Sequence, residues 1–341
     1  MRVASYYNNK DVRVEEWPIP KIGKGEVLLK THALGICGSD VMEWYRISKT
    51  PRILGHEVAG EIAEVGEGVP FKKGDRIAAS HHVPCYDCHY CRLGHHTLCD
   101  TIRTTNFDPG GFAEWIRIPA INVKHGIYKL PDPVSFDEAT LIEPLACVVR
   151  GQRKVQIRKE QTILVIGCGI AGLLHLLLAR CQGVRKTIAC DISPYRLEAA
   201  KKFGADHVLK ASEEVPSQIR RLNEDRLADV VVVCSGAESA TRLSLTTVGR
   251  GGSVLFFAPQ APGQTIPLEM NDLFWERGVT VTSSYAASPE DHRESLSLIA
   301  TKQIPAGRLI THRLGFSEVA KGFEMVAAAG ESLKIVIDPI H

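Results

Sequence analysis

Four cysteines, Cys85, Cys88, Cys91 and Cys99, fall in a C-x2-C-x2-C-x7-C run. Four thiolates satisfy a tetrahedral Zn²⁺ completely and leave no position for a substrate, so this donor set reads as a structural metal site. The competing reading is a redox or accidental cluster; four cysteines so close together in a cytosolic chain favour metal. His81, His82, His89, His95 and His96 flank the run and read as solvated loop histidines, because the thiolates already fill the shell. A second set begins at Cys37-Gly38-Ser39-Asp40 and continues at Gly55-His56-Glu57. Thiolate, imidazole and carboxylate are donors that a catalytic zinc takes in threes, with one position left open. Glu143, in Leu141-Ile142-Glu143-Pro144-Leu145, is a more distant carboxylate candidate. Taken singly these residues have ordinary explanations, since a lone Cys is usually a small core residue.

Gly167-Cys168-Gly169-Ile170-Ala171-Gly172 is G-x-G-x-x-G. It follows an apolar β-branched run, Thr162 to Ile166, and opens an apolar helical pattern, which is the context a dinucleotide site requires. The glycines allow a tight turn and bring a pyrophosphate close to a helix N-terminus. Asp191 ends the next strand pattern; a carboxylate there accepts hydrogen bonds from ribose hydroxyls and repels a 2′-phosphate, which favours NAD over NADP. Arg196 follows closely enough to stand beside the same ribose, which softens that preference. The alternative is a doubly wound domain whose crevice binds nothing.

The elements that must position these residues fall into two textures. At 341 residues the chain is long enough for two domains. Residues 2–33, Val58–Gly66 and Gly74–Ala79 alternate in the strand manner between Gly and Pro turns, which predicts a small irregular β-barrel. Residues 84–100 read as a loop with its own metal staple, and Ser135 with Glu138 reads as a capping box. From about 150 the rhythm becomes α/β. Strands are expected at Thr162–Ile166, Thr187–Cys190, Ala228–Cys234, Ser253–Ala258 and Val279–Ser283, with helices at Ile170–Cys181 and Pro194–Phe203. That alternation predicts a doubly wound parallel sheet. Two helical patterns, Glu290–Thr301 and Ser317–Ala329, and a closing strand, Lys334–Asp338, are expected to return to the first domain. A formal net charge of +2 gives no reason to expect nucleic acid or an anionic membrane as partner. The start of the chain shows no signal-peptide core and no apolar run is long enough to span a bilayer, so a cytoplasmic protein is expected.

Together these residues resemble the zinc-containing medium-chain dehydrogenase/reductase superfamily, and within it the sorbitol (polyol) dehydrogenase branch. The resemblance rests on Gly35-Ile36-Cys37-Gly38-Ser39-Asp40, Gly55-His56-Glu57, the four-cysteine lobe, Gly110-Gly111-Phe112-Ala113-Glu114, Glu143-Pro144-Leu145-Ala146, and the glycine turn with Asp191. It implies a GroES-like catalytic domain (1–148 and 286–341, with the zinc lobe at 84–100) and a Rossmann domain (149–285), with NAD(H) in the cleft between them. It implies two zinc ions per chain. Cys37 and His56 would hold the catalytic one, with Glu57 the third ligand and Glu143 ligating as well, in alternation, or through a water. Ser39 matches the hydroxyl that takes the alcohol proton, and Asp40 the carboxylate that orients the ligand His. Val233, Cys234 and Phe256-Phe257-Ala258 match segments lining the nicotinamide pocket. One position departs from the branch: Met42 stands where a relay His is common. Arg46, Lys49 and Arg52 lie in the same segment; they read as a solvated basic loop, or alternatively as an anion contact for a phosphorylated or acidic sugar. The implied activity is hydride transfer from a secondary alcohol of a polyol or sugar derivative to NAD, by a homodimer or homotetramer. A simple alcohol or threonine-type dehydrogenase, and a non-catalytic dinucleotide-binding protein, are the alternatives.

Overall fold

A computed structural model describes residues 1–341. The chain forms two compact units, Met1–Ala146 with Ala286–His341, and Cys147–Tyr285. It passes from the first to the second within the helix Ile142–Val155. No helix is long and apolar enough to cross a membrane.

In the first unit, two sheets enclose one core. The larger runs in the order Ile310–Gly315, Lys334–Asp338, Val27–Gly35, Glu57–Val65, Arg76–Ala79, Ile127–Lys129, with Trp115–Ile118 also paired to Val27–Gly35. The smaller joins Asp11–Glu16, Arg2–Asn8 and the short strand Arg52–Ile53. Alternating strands place Val27, Leu29, Ile62, Ile77, Ile116 and Ile335 in a continuous buried cluster, as the period of two requires. The closing strand returns to this unit antiparallel to Val27–Gly35, with Val336 opposite Gly35 and Ile337 opposite Leu34. The 84–100 segment is more ordered than a loop. It contains the short helices His89–Arg92 and His96–Leu98, and Asp100–Thr104 follows at once.

The second unit is one six-stranded sheet, all pairs parallel, in the order His207–Lys210, Lys186–Asp191, Thr162–Ile166, Ala228–Val233, Val248–Phe256, Thr280–Ser283. Numbered along the chain this is 3-2-1-4-5-6, the dinucleotide-fold order with its switch point beside the first strand. The strand Thr162–Ile166 is buried at every residue, as a central parallel strand covered on both faces must be.

Buried in the helix Ile170–Cys181 is His175, stacked edge-on against Phe257 at 4.6 Å. Burial pushes its pKa down to about 3. A histidine with a depressed folded-state pKa stabilises the fold above its unfolded value and loses that contribution as pH falls through the window below it. Between the unfolded value near 6.5 and pH 5 the loss amounts to about 2 kcal/mol. Urea unfolding at pH 7.5 and 5.0 should therefore show a drop that shrinks by about this amount in His175→Leu. An identical drop in both proteins would place the acid sensitivity elsewhere.

Candidate active site

The turn that carries Cys37 closes on itself. The Cys37 backbone N–H donates to Asp40 Oδ2 at 3.1 Å, and the Ser39 N–H and O–H both point at Cys37 Sγ, at 3.4 and 3.3 Å. His56 arrives from the other side through Gly55, whose φ is +92° and whose place would not admit a Cβ, which would meet Phe112 at 2.8 Å. Cys37, His56 and Glu57 consequently bring one donor atom each within 4.8 Å of one another. His56 and Glu57 are buried, while Cys37 and Ser39 are half-exposed, so the group opens on one side.

The surrounding charges fix the donors. Asp40, fully buried, lies 3.4 Å from His56 Nδ1, which leaves Nε2 for a metal. Burial alone pulls the His56 pKa down, but the Asp40 carboxylate and Cys37 outweigh it and hold the ring well above its ordinary value. Glu57 is divided between two roles. Its Oε2 is ion-paired with Lys334, itself completely buried and also donating to the Ile36 carbonyl at 3.1 Å. Its Oε1 is buried with no hydrogen-bond partner. A buried carboxylate oxygen left open beside a thiol and an imidazole is the donor a zinc ion would complete. Glu143 is not among the clustered donors; it lines a narrow space together with Glu57, Tyr128 and His292.

Lys334 is a site residue that sequence reasoning missed. The signal was a lysine inside Lys334-Ile335-Val336-Ile337-Asp338, a strand buried throughout. A cation in such a strand demands a buried anion, but the partner lies 277 positions away. Arg46 is a second correction. Only 14% exposed, it is not a solvated loop residue: Nε donates to the Ser39 carbonyl at 2.9 Å and a terminal nitrogen to Ser39 Oγ at 3.2 Å. Lys49 is exposed, as expected. Among the flanking histidines His89 and His95 are exposed, whereas His81 stacks between His56 and His82, with ring centroids 4.9 and 3.7 Å away, and His96 faces Glu290 at 3.5 Å.

The four lobe cysteines also bring their sulfurs within 4.8 Å of one another. Cys85 Sγ lies 3.5 Å from Cys99 Sγ and 4.0 Å from Cys91 Sγ. A tetrahedron with Zn–S near 2.3 Å has edges of about 3.8 Å, between these two values. The N–H groups of Asp87 and Cys88 point at Cys85 Sγ, and that of Cys85 at Cys99 Sγ. Burial pushes the Cys91 thiol up to about 12, while Cys99, against its own burial, is held at about 6 by backbone donors. Four thiols so placed ionise together only around a cation. The residues fit zinc, and all ten cysteines are free thiols.

In the second unit the glycine turn is sterically dictated. Gly167 has φ +94°, and a Cβ on Gly172 would strike the Gly167 carbonyl. Gly169 opens the helix Ile170–Cys181 with no side-chain cap, and Ile170 and Ala171 are half-exposed at its first turn, an arrangement suited to an anionic pyrophosphate. Asp191 holds this turn: Oδ2 accepts from the Cys168 N–H at 2.6 Å and Oδ1 from the Ser193 N–H at 2.8 Å. Each oxygen keeps one lone pair for a ribose hydroxyl. The Arg196 guanidinium carbon lies 4.0 Å from where a Gly169 Cβ would stand. Cys234 follows the strand Ala228–Val233, and the Phe257 and Ala258 N–H groups both donate to the Val233 carbonyl at 3.0 Å. These three residues therefore cluster at the C-terminal strand ends, where this fold binds its ligands.

Comparison with known proteins adds a second line. Residues 23–132 match the alcohol dehydrogenase GroES-like domain, and residues 171–301 match the zinc-binding dehydrogenase domain. The chain is 33% identical to mouse (Mus musculus) sorbitol dehydrogenase over 96% of its own length and 92% of that protein's. It superposes on the alcohol dehydrogenase TADH from Thermus sp. ATN1 with a TM-score of 0.87, at 28% identity over 99% of both chains. It superposes also on a zinc-binding dehydrogenase candidate from Sinorhizobium meliloti 1021, bound to NADP, with a TM-score of 0.88 at 26% identity over 99% of both chains.

Proposed function

Since the chain belongs to the zinc-containing medium-chain dehydrogenase/reductase family, sorbitol dehydrogenase-like, we propose that it oxidises a secondary alcohol of a polyol or sugar derivative to the ketone, with NAD as hydride acceptor. The observation that carries this reading is the donor group of Cys37, His56 and Glu57 within 4.8 Å, with the Ser39 hydroxyl against its thiol. A zinc ion held there would supply Lewis acidity toward an alcohol oxygen, and the four-cysteine lobe would hold a second, structural ion. Ser39 would receive the alcohol proton at Oγ. Arg46 orients that hydroxyl but cannot take the proton on, because a guanidinium stays protonated. Met42 offers no relay either, so the proton would leave through Ser39 toward the cofactor ribose and water. Asp40 keeps His56 in one tautomer and orientation. The first unit would be the catalytic domain and the second the cofactor domain, in a homodimer or homotetramer.

The test is NADH formation by zinc-loaded protein over polyols, sugar acids, sugar phosphates and simple alcohols, with NADP⁺ in parallel. Silence over the whole panel, with two zinc ions and NAD bound, would sink the reading.

Cofactor choice is tested at Asp191. Because its two oxygens also hold the Cys168 and Ser193 amides, Asn is a cleaner replacement than Gly: it keeps an acceptor and removes the charge. Asp191→Asn should cut the NAD-over-NADP ratio of kcat/KM at least about tenfold, by lost ribose binding and relieved repulsion of a 2′-phosphate. An unchanged ratio would exclude Asp191 as the discriminating group.

A further inference from the structure

Two arginines, Arg46 and Arg52, act on each other's charge near Asp40, and only one of them is neutralised. Arg46 is matched: it lies 3.6 Å from Asp40 Oδ1, binds Ser39 through two nitrogens, and packs over the Tyr45 ring at 4.7 Å. Arg52 is not. It is half-buried in the short strand Arg52–Ile53, opposite Tyr6, and its guanidinium has no hydrogen-bond or ion-pair partner. Burial, then the like charge of Arg46, weakens its hold on its proton, with only Asp40 and Tyr45 acting in the other direction. A half-desolvated cation placed against a second cation is costly unless an anion joins it.

The position in the chain locates that anion. Arg52 precedes His56 by four residues, so their Cα atoms are at most about 14 Å apart. The charges of His56, Arg46 and Arg52 all act on His82. A substrate whose alcohol oxygen sat at the Cys37–His56–Glu57 group would thus need to extend only a short way along the chain to meet Arg52. The nearby carboxylates are engaged elsewhere: Asp40 by His56 and Arg46, and Glu43 by the Asn9 amide at 2.9 Å.

We infer that the alcohol oxidised here carries an anionic group, a carboxylate or a phosphate monoester, and that Arg52 binds it, with Arg46 holding Ser39 beside it. The planar guanidinium fork matches both anions. This rests on the alcohol-oxidation reading above and narrows its substrate class.

The experiment uses matched alcohols, sorbitol, gluconate and sorbitol 6-phosphate, with the zinc-loaded protein and NAD⁺. At least one anion should exceed sorbitol tenfold in kcat/KM, and which one does separates carboxylate from phosphate. Arg52→Gln should cut the anion-to-sorbitol ratio at least tenfold, mainly through KM, and Arg52→Lys should restore part of it. Because the Arg52 guanidinium makes no hydrogen bond or ion pair, both variants, which keep a long side chain at this position, should remain folded. Calorimetric titration of the same two anions into the protein–NADH complex reads the site without turnover. Tight binding that Arg52→Gln weakens tenfold supports the anion site even if nothing is oxidised, in which case it is the oxidation reading that has failed. Sorbitol oxidised as well as either anion, with Arg52→Gln acting equally on all three, overturns the inference and leaves the oxidation reading intact. Absence of anion binding in the titration overturns it too.

Discussion

Cys37→Ser is expected to lower alcohol-dependent NADH formation at least about a thousandfold, the equivalent of roughly 4 kcal/mol of Lewis-acid stabilisation, while the protein keeps its fold and one of two zinc ions. Serine fits the space and can accept the Ser39 amide as the thiol does. What it lacks is an ionised soft donor, and a neutral hydroxyl is a poor ligand for zinc. His56→Ala should abolish turnover equally but at a structural cost, since Asp40, fully buried, then has only Arg46 at 3.6 Å to balance its charge. The pair of variants therefore separates chemistry from folding. Metal content by mass spectrometry, circular dichroism and turnover are the three readouts. Undiminished turnover in Cys37→Ser, or loss of both zinc ions at once, would end the assignment of Cys37 to a catalytic metal.

Most of what was legible in the sequence is locally determined. The glycine turn could be read because its requirements are steric and lie within six residues. The helix it opens was readable too, since Ile170–Cys181 is bounded by glycine before and Gln182-Gly183 after. The capping box at Ser135 and Glu138 is likewise a contact over three residues. Elements that deceive do so through residues whose effect depends on tertiary surroundings. The helix Ile142–Val155, for which no expectation was drawn from the sequence, contains Pro144 and Gly151, two residues of low helix propensity. Pro144 sits in the first turn, where its missing N–H costs nothing. Gly151 is pressed by Leu255 and His175, at 3.1 and 3.4 Å from a Cβ placed there. The ion pair of Lys334 with Glu57 and the grip of Arg46 on Ser39 were invisible for a related reason. Charge in a sequence carries no record of its partner, and an arginine in a polar segment looks solvated until the fold buries it. The residues that could do chemistry were thus readable by type, and their counter-charges were not.

Loss of the lobe's metal should be the largest stability effect in the molecule, and Cys99→Ser is the variant to produce it. Cys99 lies 3.5 Å from Cys85, and its backbone also caps the helix Asp100–Thr104. That helix leads into Thr105, whose carbonyl faces His82 Nδ1 at 3.1 Å and whose hydroxyl accepts from the Val83 N–H at 3.1 Å. At its other side the lobe is tied to the helix Pro289–Ala300 by the Tyr86 hydroxyl and His96, both on Glu290, at 2.9 and 3.5 Å. Apart from such contacts the segment buries little: among residues 84–100 only Pro84, Cys91, Thr97 and Cys99 are buried. Metal binding is then most of its folding energy, as in other small zinc modules, where it is on the order of 10 kcal/mol or more. Removing one thiolate should forfeit several kcal/mol of that. In a unit of this size such a loss lowers the melting midpoint by roughly 10 °C, and residues 84–105 should become the first site of proteolysis. Zinc content should fall to one per chain, and the remaining protein should still turn over below the new midpoint. If the four thiols were instead a redox cluster, Cys99→Ser would leave zinc content unchanged and the wild type would lose thiol titre on mild oxidation without releasing metal. Sulfurs spaced at 3.5 and 4.0 Å, with amide N–H groups already directed at them, are arranged for a shared cation and not for a bond between any two.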